Sequence, residues 1–383
     1  MPLHFEREEF DRRRAATLEA MAEAGLDGLL LFRQESMYWL TGYDTFGYVF
    51  FQCLYLGADG RLFLLTRSAD LRQAQQTSLV EDVRIWVDGP EAAPARELKE
   101  LLREYGAAGK RLGVEYEAYG LTAANGKRLE AALEGFCTLA DASLLISRLR
   151  VVKSPAEIAY VRRAAVLADE AWEMATALAE PGRDEADILA AMHAQILRGD
   201  GDDPANEFII GSGPQALLCR YHSGRRRLDR QDQLTLEWAG VFRHYHAAMM
   251  RTLAVGEAPA KQVEMHAVAQ EALLAVEAAL QPGRPVGEAF DAHATVLDRR
   301  GYRHARLNAC GYSLGTTFAP NWMDWPMLYH GNPTEIRPGM VFFCHMILFD
   351  STAGLAMTLG RTSLVTGSGA EPLSRAPLDL VVK

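Results

Sequence analysis

Between Glu8 and Ala24 the chain reads as a helix, and it then passes through Gly25-Leu26-Asp27 into Gly28-Leu29-Leu30-Leu31-Phe32, an unbroken apolar run of buried-strand length. Tyr48 to Leu56 and Arg61 to Thr66 are β-rich, and Gly57-Ala58-Asp59-Gly60 between them signals a hairpin. A helix over Ala93 to Tyr105 and a strand over Arg111 to Glu115 complete an α/β domain ending near residue 145.

A new pattern begins at Arg148-Leu149-Arg150-Val151-Val152-Lys153-Ser154-Pro155-Ala156-Glu157-Ile158. Ser154 fits a helix N-cap, Pro155 the first helical position, and Glu157 closes a capping box. Ile158, Val161, Ala165 and Ala168 follow at helical spacing. The expected division is therefore 1–147 and 148–383. In the second part, an Ala-rich helix ending in Leu178-Ala179-Glu180-Pro181-Gly182-Arg183 recurs as one ending in Leu280-Gln281-Pro282-Gly283-Arg284, and each is followed by another helix and then β-rich sequence. That spacing suggests two related halves rather than a solenoid, whose repeats run roughly 20 to 50 residues. Pro and Gly after a helix are also common without any duplication.

A chain of 383 residues with 49% apolar content exceeds one compact core and can fill two. Its net charge of -10 argues against a nucleic-acid partner, which needs a clustered positive face, and Arg225-Arg226-Arg227 reads as a solvated loop. Cys53, Cys137, Cys219, Cys310 and Cys344 are odd in number and widely spaced, with no CxxC pair, which fits reduced thiols. The charged stretch Met1 to Arg14 does not read as a leader, and the longest apolar runs are shorter than a membrane span. A cytoplasmic protein is expected.

Several motifs, in order, carry a resemblance. They are the boundary phrase above, Ile210-Gly211-Ser212-Gly213-Pro214, Arg220-Tyr221-His222-Ser223, Leu236-Glu237-Trp238-Ala239-Gly240 and Met250-Arg251-Thr252, then Cys310-Gly311-Tyr312-Ser313-Leu314-Gly315 and Arg337-Pro338-Gly339-Met340-Val341. Together with Tyr38-Trp39-Leu40-Thr41-Gly42-Tyr43 near the start, they resemble the pita-bread group of creatinase, aminopeptidase P and prolidase. The resemblance implies an α/β creatinase-type N-terminal domain and an α+β pita-bread C-terminal domain with two pseudo-symmetric halves. It also implies a homodimer, in which the N-terminal domain of one subunit covers its neighbour's site. The family's metallopeptidases bind two metal ions through two Asp, one His and two Glu. At those positions this chain has Glu237, Ala248, Tyr312, His345 and Gly360, so no metal and no other cofactor is expected. Creatinase and ectoine hydrolase share the fold without the metal centre, and Glu237-Trp238-Ala239-Gly240, Arg243-His244-Tyr245-His246, Gly311-Tyr312-Ser313-Leu314-Gly315 and Phe318-Ala319-Pro320-Asn321-Trp322 look more similar to the ectoine hydrolase side. Met250 stands where creatinase carries a Glu, which disfavours creatine as substrate.

The candidate catalytic residues are His222, Glu237 and His345. His222 falls on the family's substrate-pocket histidine and titrates near working pH, as a proton-transfer group must. Glu237 lies in an apolar run predicted to be a buried strand, where a carboxylate needs a partner. That partner is either a cationic substrate, whose carbon it could also attack, or a structural Arg243 or Arg251. His345 is an isolated polar group in Phe342-Phe343-Cys344-His345-Met346-Ile347, placed to contact substrate, to orient Glu237 or simply to bond backbone. Tyr312 and His246 are candidate hydrogen-bond donors to substrate, and Tyr43, Phe46 and Tyr48 form a candidate aromatic lid, with plain packing as the competing role of each. Cys310 and Cys344 read as core filler. The expected activity is metal-independent hydrolysis of a C–N bond in a small amidine, guanidino or cyclic amide compound. An Xaa-Pro metallodipeptidase and a non-catalytic relative are the competing readings.

Overall fold

A computed structural model describes residues 3–220 and 224–383. The chain divides into two compact units, Met1–Arg150 and Val151–Lys383, against an expected boundary at 147/148. In the first unit the elements run α1 (Arg7–Glu23), β1 (Gly28–Leu31), α2 (Gln34–Thr41), β2 (Cys53–Gly57), β3 (Leu62–Arg67), α3 (Leu71–Thr77), β4 (Val83–Trp86), α4 (Pro94–Glu104), β5 (Arg111–Val114), α5 (Ala123–Leu133), β6 (Thr138–Asp141) and α6 (Leu145–Arg150). The six strands form one mixed sheet in the order β4-β3-β2-β1-β5-β6. Leu30 and Phe32 pack into one apolar cluster with α4 and α5, while Leu29 and Leu31 pack into another with Met21 and Met37. This two-sided burial explains why β1 is apolar at every position. The β-rich stretch from Tyr48 becomes strand only at Cys53. Gly47–Val49 is instead a 3-10 turn, in which the Thr45 hydroxyl takes the Gly47 amide at 2.9 Å and so withdraws it from any ladder.

The second unit starts with α7 (Pro155–Leu178), whose capping box is formed: the Glu157 amide donates to Ser154 Oγ, and the Ser154 amide to Glu157 Oε2. It continues through α8 (Glu185–Arg198), β7 (Ile209–Ser212), β8 (Asp232–Phe242), β9 (Tyr245–Val255), α9 (Ala260–Ala279), α10 (Gly287–Arg299), β10 (Gly311–Ser313), β11 (Asp324–Met327), β12 (Val341–Asp350), β13 (Leu355–Thr366) and β14 (Gly369–Pro372). The sheet order is β11-β10-β12-β13-β9-β8-β7, and β14 pairs with β13.

The suspected duplication is present in the hydrogen bonds. After α7, the Gly182 amide donates to the Leu228 carbonyl and the Leu228 amide to that of Arg183. After α9, Gly283 donates to Ile336 and Ile336 to Arg284. Each half then supplies two helices and a long antiparallel pair, β8–β9 or β12–β13. The halves meet where Gly360 of β13 pairs with Met250 of β9.

Alternation decides which side chains face the helices. Trp238 donates its indole N–H to the Ala168 carbonyl of α7, and a Cβ on Gly240 would sit 1.9 Å from the Ala164 carbonyl oxygen, so even positions of β8 pack on α7. Phe342, Cys344, Met346 and Leu348 of β12 likewise join the apolar cluster of Val268, Leu273 and Val276 on α9. The odd positions of both strands, Glu237 and His345 among them, therefore point to the opposite face. On that face the sheet curls: beyond β10, Thr316 bridges Tyr245, the His246 amide donates to the Gly315 carbonyl, and the Thr317 amide to that of His244.

Candidate active site

Glu237, Met250, Gly360 and His345 are cross-strand partners in one row over β8, β9, β13 and β12. Glu237 and His345 are thus corresponding positions of the two halves, at the two ends of that row. Tyr312 of β10 rises beside it, its ring 5.6 Å from that of His345 and 5.5 Å from Phe343. The Tyr312 hydroxyl donates to Glu237 Oε1 at 3.2 Å and accepts the Trp322 indole N–H at 2.8 Å. Among the described residues this chain of bonds is the hydrogen-bonded partnership of the Glu237 side chain. Arg251 does not pair with Glu237, since its Nη1 donates to the carbonyls of Met250 and Gly360.

Glu237 is ringed by protein, although part of its surface reaches solvent. Burial pushes its carboxyl up to about 7, against the opposing pull of the Tyr312 bond and the Arg220 charge. Burial also holds Tyr312 well above the usual tyrosine range, with the Glu237 charge adding to the effect, so the hydroxyl remains a donor. His345 is buried and its Nδ1 has no partner among the described residues. Burial lowers its imidazole to about 4, so it is neutral at neutral pH.

His246 lies on the same face but is fully engaged. Its Nε2 accepts the Ala205 amide at 3.0 Å, and Nδ1 lies 2.9 Å from the His244 carbonyl and 3.1 Å from Thr317 Oγ1. The amide fixes Nε2 as acceptor and so places the proton on Nδ1, leaving neither nitrogen for a substrate. Burial pushes its pKa down to about 3. It ties loops together. His222 lies outside the described residues. In the first unit, Tyr43 is a core residue whose hydroxyl faces Gln52 and Thr66, Tyr48 is buried in the 3-10 turn, and Phe46 is 76% exposed. Cys310 and Cys344 are fully buried, and burial raises both thiols, which suits filler rather than nucleophile.

Two contributors escaped the sequence reading. Arg220 was visible only as part of a motif, yet its charge reaches Glu237, Tyr312 and His345. Trp322 was visible only as an aromatic in a loop.

A two-metal centre does not fit these residues. Ala248 and Gly360 offer no donor, and a Cβ on Gly360 would lie 2.9 Å from both the Cys344 carbonyl oxygen and Phe343 Cε2, so no side chain can enter there. Among the described residues, no group of three or more His, Cys, Asp or Glu is arranged to hold a metal. No helix among them is long and apolar enough to cross a membrane.

Residues 159–367 match metallopeptidase family M24, and residues 13–152 match the creatinase/prolidase N-terminal domain. The chain is 29% identical to the uncharacterized hydrolase/peptidase y4tM of Sinorhizobium fredii, over 100% of this chain and 99% of that one. It is 27% identical to the ectoine hydrolase of Halomonas elongata, again over 100% and 99%. A solved prolidase of Thermococcus sibiricus superposes with a TM-score of 0.88 at 19% identity, over 98% of this chain and 99% of that one, which speaks to the fold. With its matched domains, its duplicated halves and its curled sheet, the chain belongs to metallopeptidase family M24, in the creatinase/aminopeptidase P/prolidase group of pita-bread hydrolases.

Proposed function

We propose that this protein hydrolyses a C–N bond in a small amidine, guanidino or cyclic amide compound without a metal, acting as a cytoplasmic homodimer. The observation that carries the reading is the make-up of the family's ligand positions: one carboxylate, Glu237, remains there, with Ala248 and Gly360 in place of two further ligands. A lone carboxylate beside Tyr312, Phe343 and His345 suits a small delocalised cation better than a metal pair. Full-length similarity to an ectoine hydrolase points the same way.

In this reading Glu237 meets the cationic or electrophilic carbon, either as an ion-pairing base or as the attacking carboxylate. Tyr312 keeps one of its oxygens in place. His345, neutral, offers Nδ1 to substrate, and His222 moves the proton to the departing nitrogen. Water adds hydroxyl to the carbon and a proton to the nitrogen, which balances the cleavage.

Membership in a metallopeptidase family favours a second reading, an Xaa-Pro dipeptidase. Metal content of the purified protein, measured together with turnover of amidines, guanidino compounds, cyclic amides and Xaa-Pro dipeptides, separates the two. Turnover of a member of the first three groups by metal-free protein is expected. Peptide cleavage that requires a stoichiometric metal overturns the proposal, and binding without turnover identifies a non-catalytic relative.

A further inference from the structure

We propose that Trp322 is a positioning residue, whose indole N–H orients the Tyr312 hydroxyl so that its proton is committed to Glu237. The inference rests on the reading above only in taking Glu237 as the group that meets substrate.

An indole nitrogen donates and cannot accept. Its 2.8 Å contact with the Tyr312 oxygen therefore makes that oxygen the acceptor. The hydroxyl proton is left to point elsewhere, and among the described residues the carboxylate at 3.2 Å is the acceptor in reach. A phenol rotating freely would offer its proton to substrate or solvent part of the time. Held from behind, it pins Oε1 and leaves Oε2 as the less encumbered face of the carboxylate. Charge on Glu237 polarises the phenol, which strengthens the indole bond in turn, so the three groups act as one relay.

Trp322 is itself fixed. It is buried, its backbone amide donates to Asn206 Oδ1 at 3.2 Å, and its ring lies 6.4 Å from Phe208 and 6.2 Å from His246. The same His246 accepts the Ala205 amide, so two adjacent residues of the 205–206 segment are tied to this cluster. The indole is thus placed by backbone and ring contacts that do not involve Glu237, as a part that sets the direction of another group must be.

The test reads the indole N–H signals of the six tryptophans by NMR on the whole protein. Trp322→Phe keeps the aromatic volume and identifies the Trp322 signal by its loss. That signal is expected to shift upfield in Tyr312→Phe, which removes its acceptor, and also in Glu237→Gln, which removes the charge at the far end. A signal that stays put in both variants overturns the proposal. As a binding probe, acetamidinium should bind Trp322→Phe roughly three- to tenfold more weakly, the weight of one neutral hydrogen bond. The Trp322→Phe/Tyr312→Phe double variant should then be no worse than Tyr312→Phe alone. Additive losses in the double variant count against a relay. If Glu237→Gln binds acetamidinium as well as the parent does, it is the functional reading of Glu237 that fails, and the indole shift alone then decides on Trp322.

Discussion

Tyr312 and Glu237 are bonded at 3.2 Å although β10 and β8 stand four steps apart in the sheet order. In a flat sheet those strands would be about 19 Å apart, beyond the reach of the two side chains together. The contact therefore exists because the sheet curls, and the bridges from Thr316 and Gly315 back to β9 hold the curl. Removing the Tyr312 hydroxyl should make ionisation of Glu237 harder, since the bond favours the charged form. In Tyr312→Phe the rising limb of the rate–pH profile, expected near 7 in the parent, should move to higher pH. An unmoved limb would mean that the rate does not follow the charge of Glu237.

Replacing Glu237 by Gln separates chemistry from stability. A carboxyl that titrates at about 7 when folded and at the ordinary 4.5 when unfolded binds its proton more tightly in the folded state. Its favourable contribution is full below 4.5 and is lost as pH rises through 7. Glu237→Gln should therefore melt higher than the parent above pH 7, with the gap closing toward acid, while turnover disappears. A variant that melts lower at neutral pH yet turns over normally would mark Glu237 as a structural partner only.

Prolonged chelation should change neither the rate nor the melting temperature, because at the family's ligand positions only Glu237 and His345 remain to coordinate, fewer than the three protein ligands that usually hold a catalytic metal. Stoichiometric Mn, Co or Zn in the purified protein, lost together with activity on chelation, would overturn this.

Much of the scaffold is legible in the sequence. The Ser154–Glu157 capping box is a local signal that tertiary packing had no reason to override. The paired helix endings at Gly182 and Gly283 were ambiguous as text, and became evidence of duplication only through their matching bonds to Leu228 and Ile336. The row Glu237–Met250–Gly360–His345 depends on strand register, which the spacing of residues along the chain does not contain. His246 shows the limit from the other side. A histidine beside a family motif invites a chemical role, and only the bonds to Ala205 and His244 show both nitrogens occupied. Trp322 was overlooked because its importance lies in one hydrogen-bond direction, which depends on where the curl of the sheet places Tyr312.

The protein is expected to be a dimer at micromolar concentration. Phe46, Val49 and Phe50 expose apolar surface together in the first unit, the domain that the family resemblance leads us to expect over a neighbouring subunit's site. Light scattering should give twice the chain mass, and Phe46→Asp should weaken association. A fully active monomer would contradict the shared-site arrangement.

The proposed mechanism gives His345 and His222 different tasks, and separate replacements test the division. Burial lowers His345 to about 4, so at neutral pH it carries no proton that it could give away as a cation. It suits contact with substrate through Nδ1, which has no partner among the described residues, and His345→Ala should mainly raise KM. The proposal therefore takes the proton for the departing nitrogen from another group, the family-position His222. His222→Ala should lower kcat by roughly two to four orders of magnitude with little change in melting temperature, the usual weight of a general acid or base. The stability linked to His345 runs opposite to that of Glu237: a depressed imidazole contributes stability above 6.5 and loses it as pH falls through 4. His345→Ala should therefore flatten the acid side of the stability curve. If instead His345→Ala abolishes kcat and His222→Ala raises only KM, the two roles are exchanged, and proton transfer belongs to the buried histidine of β12.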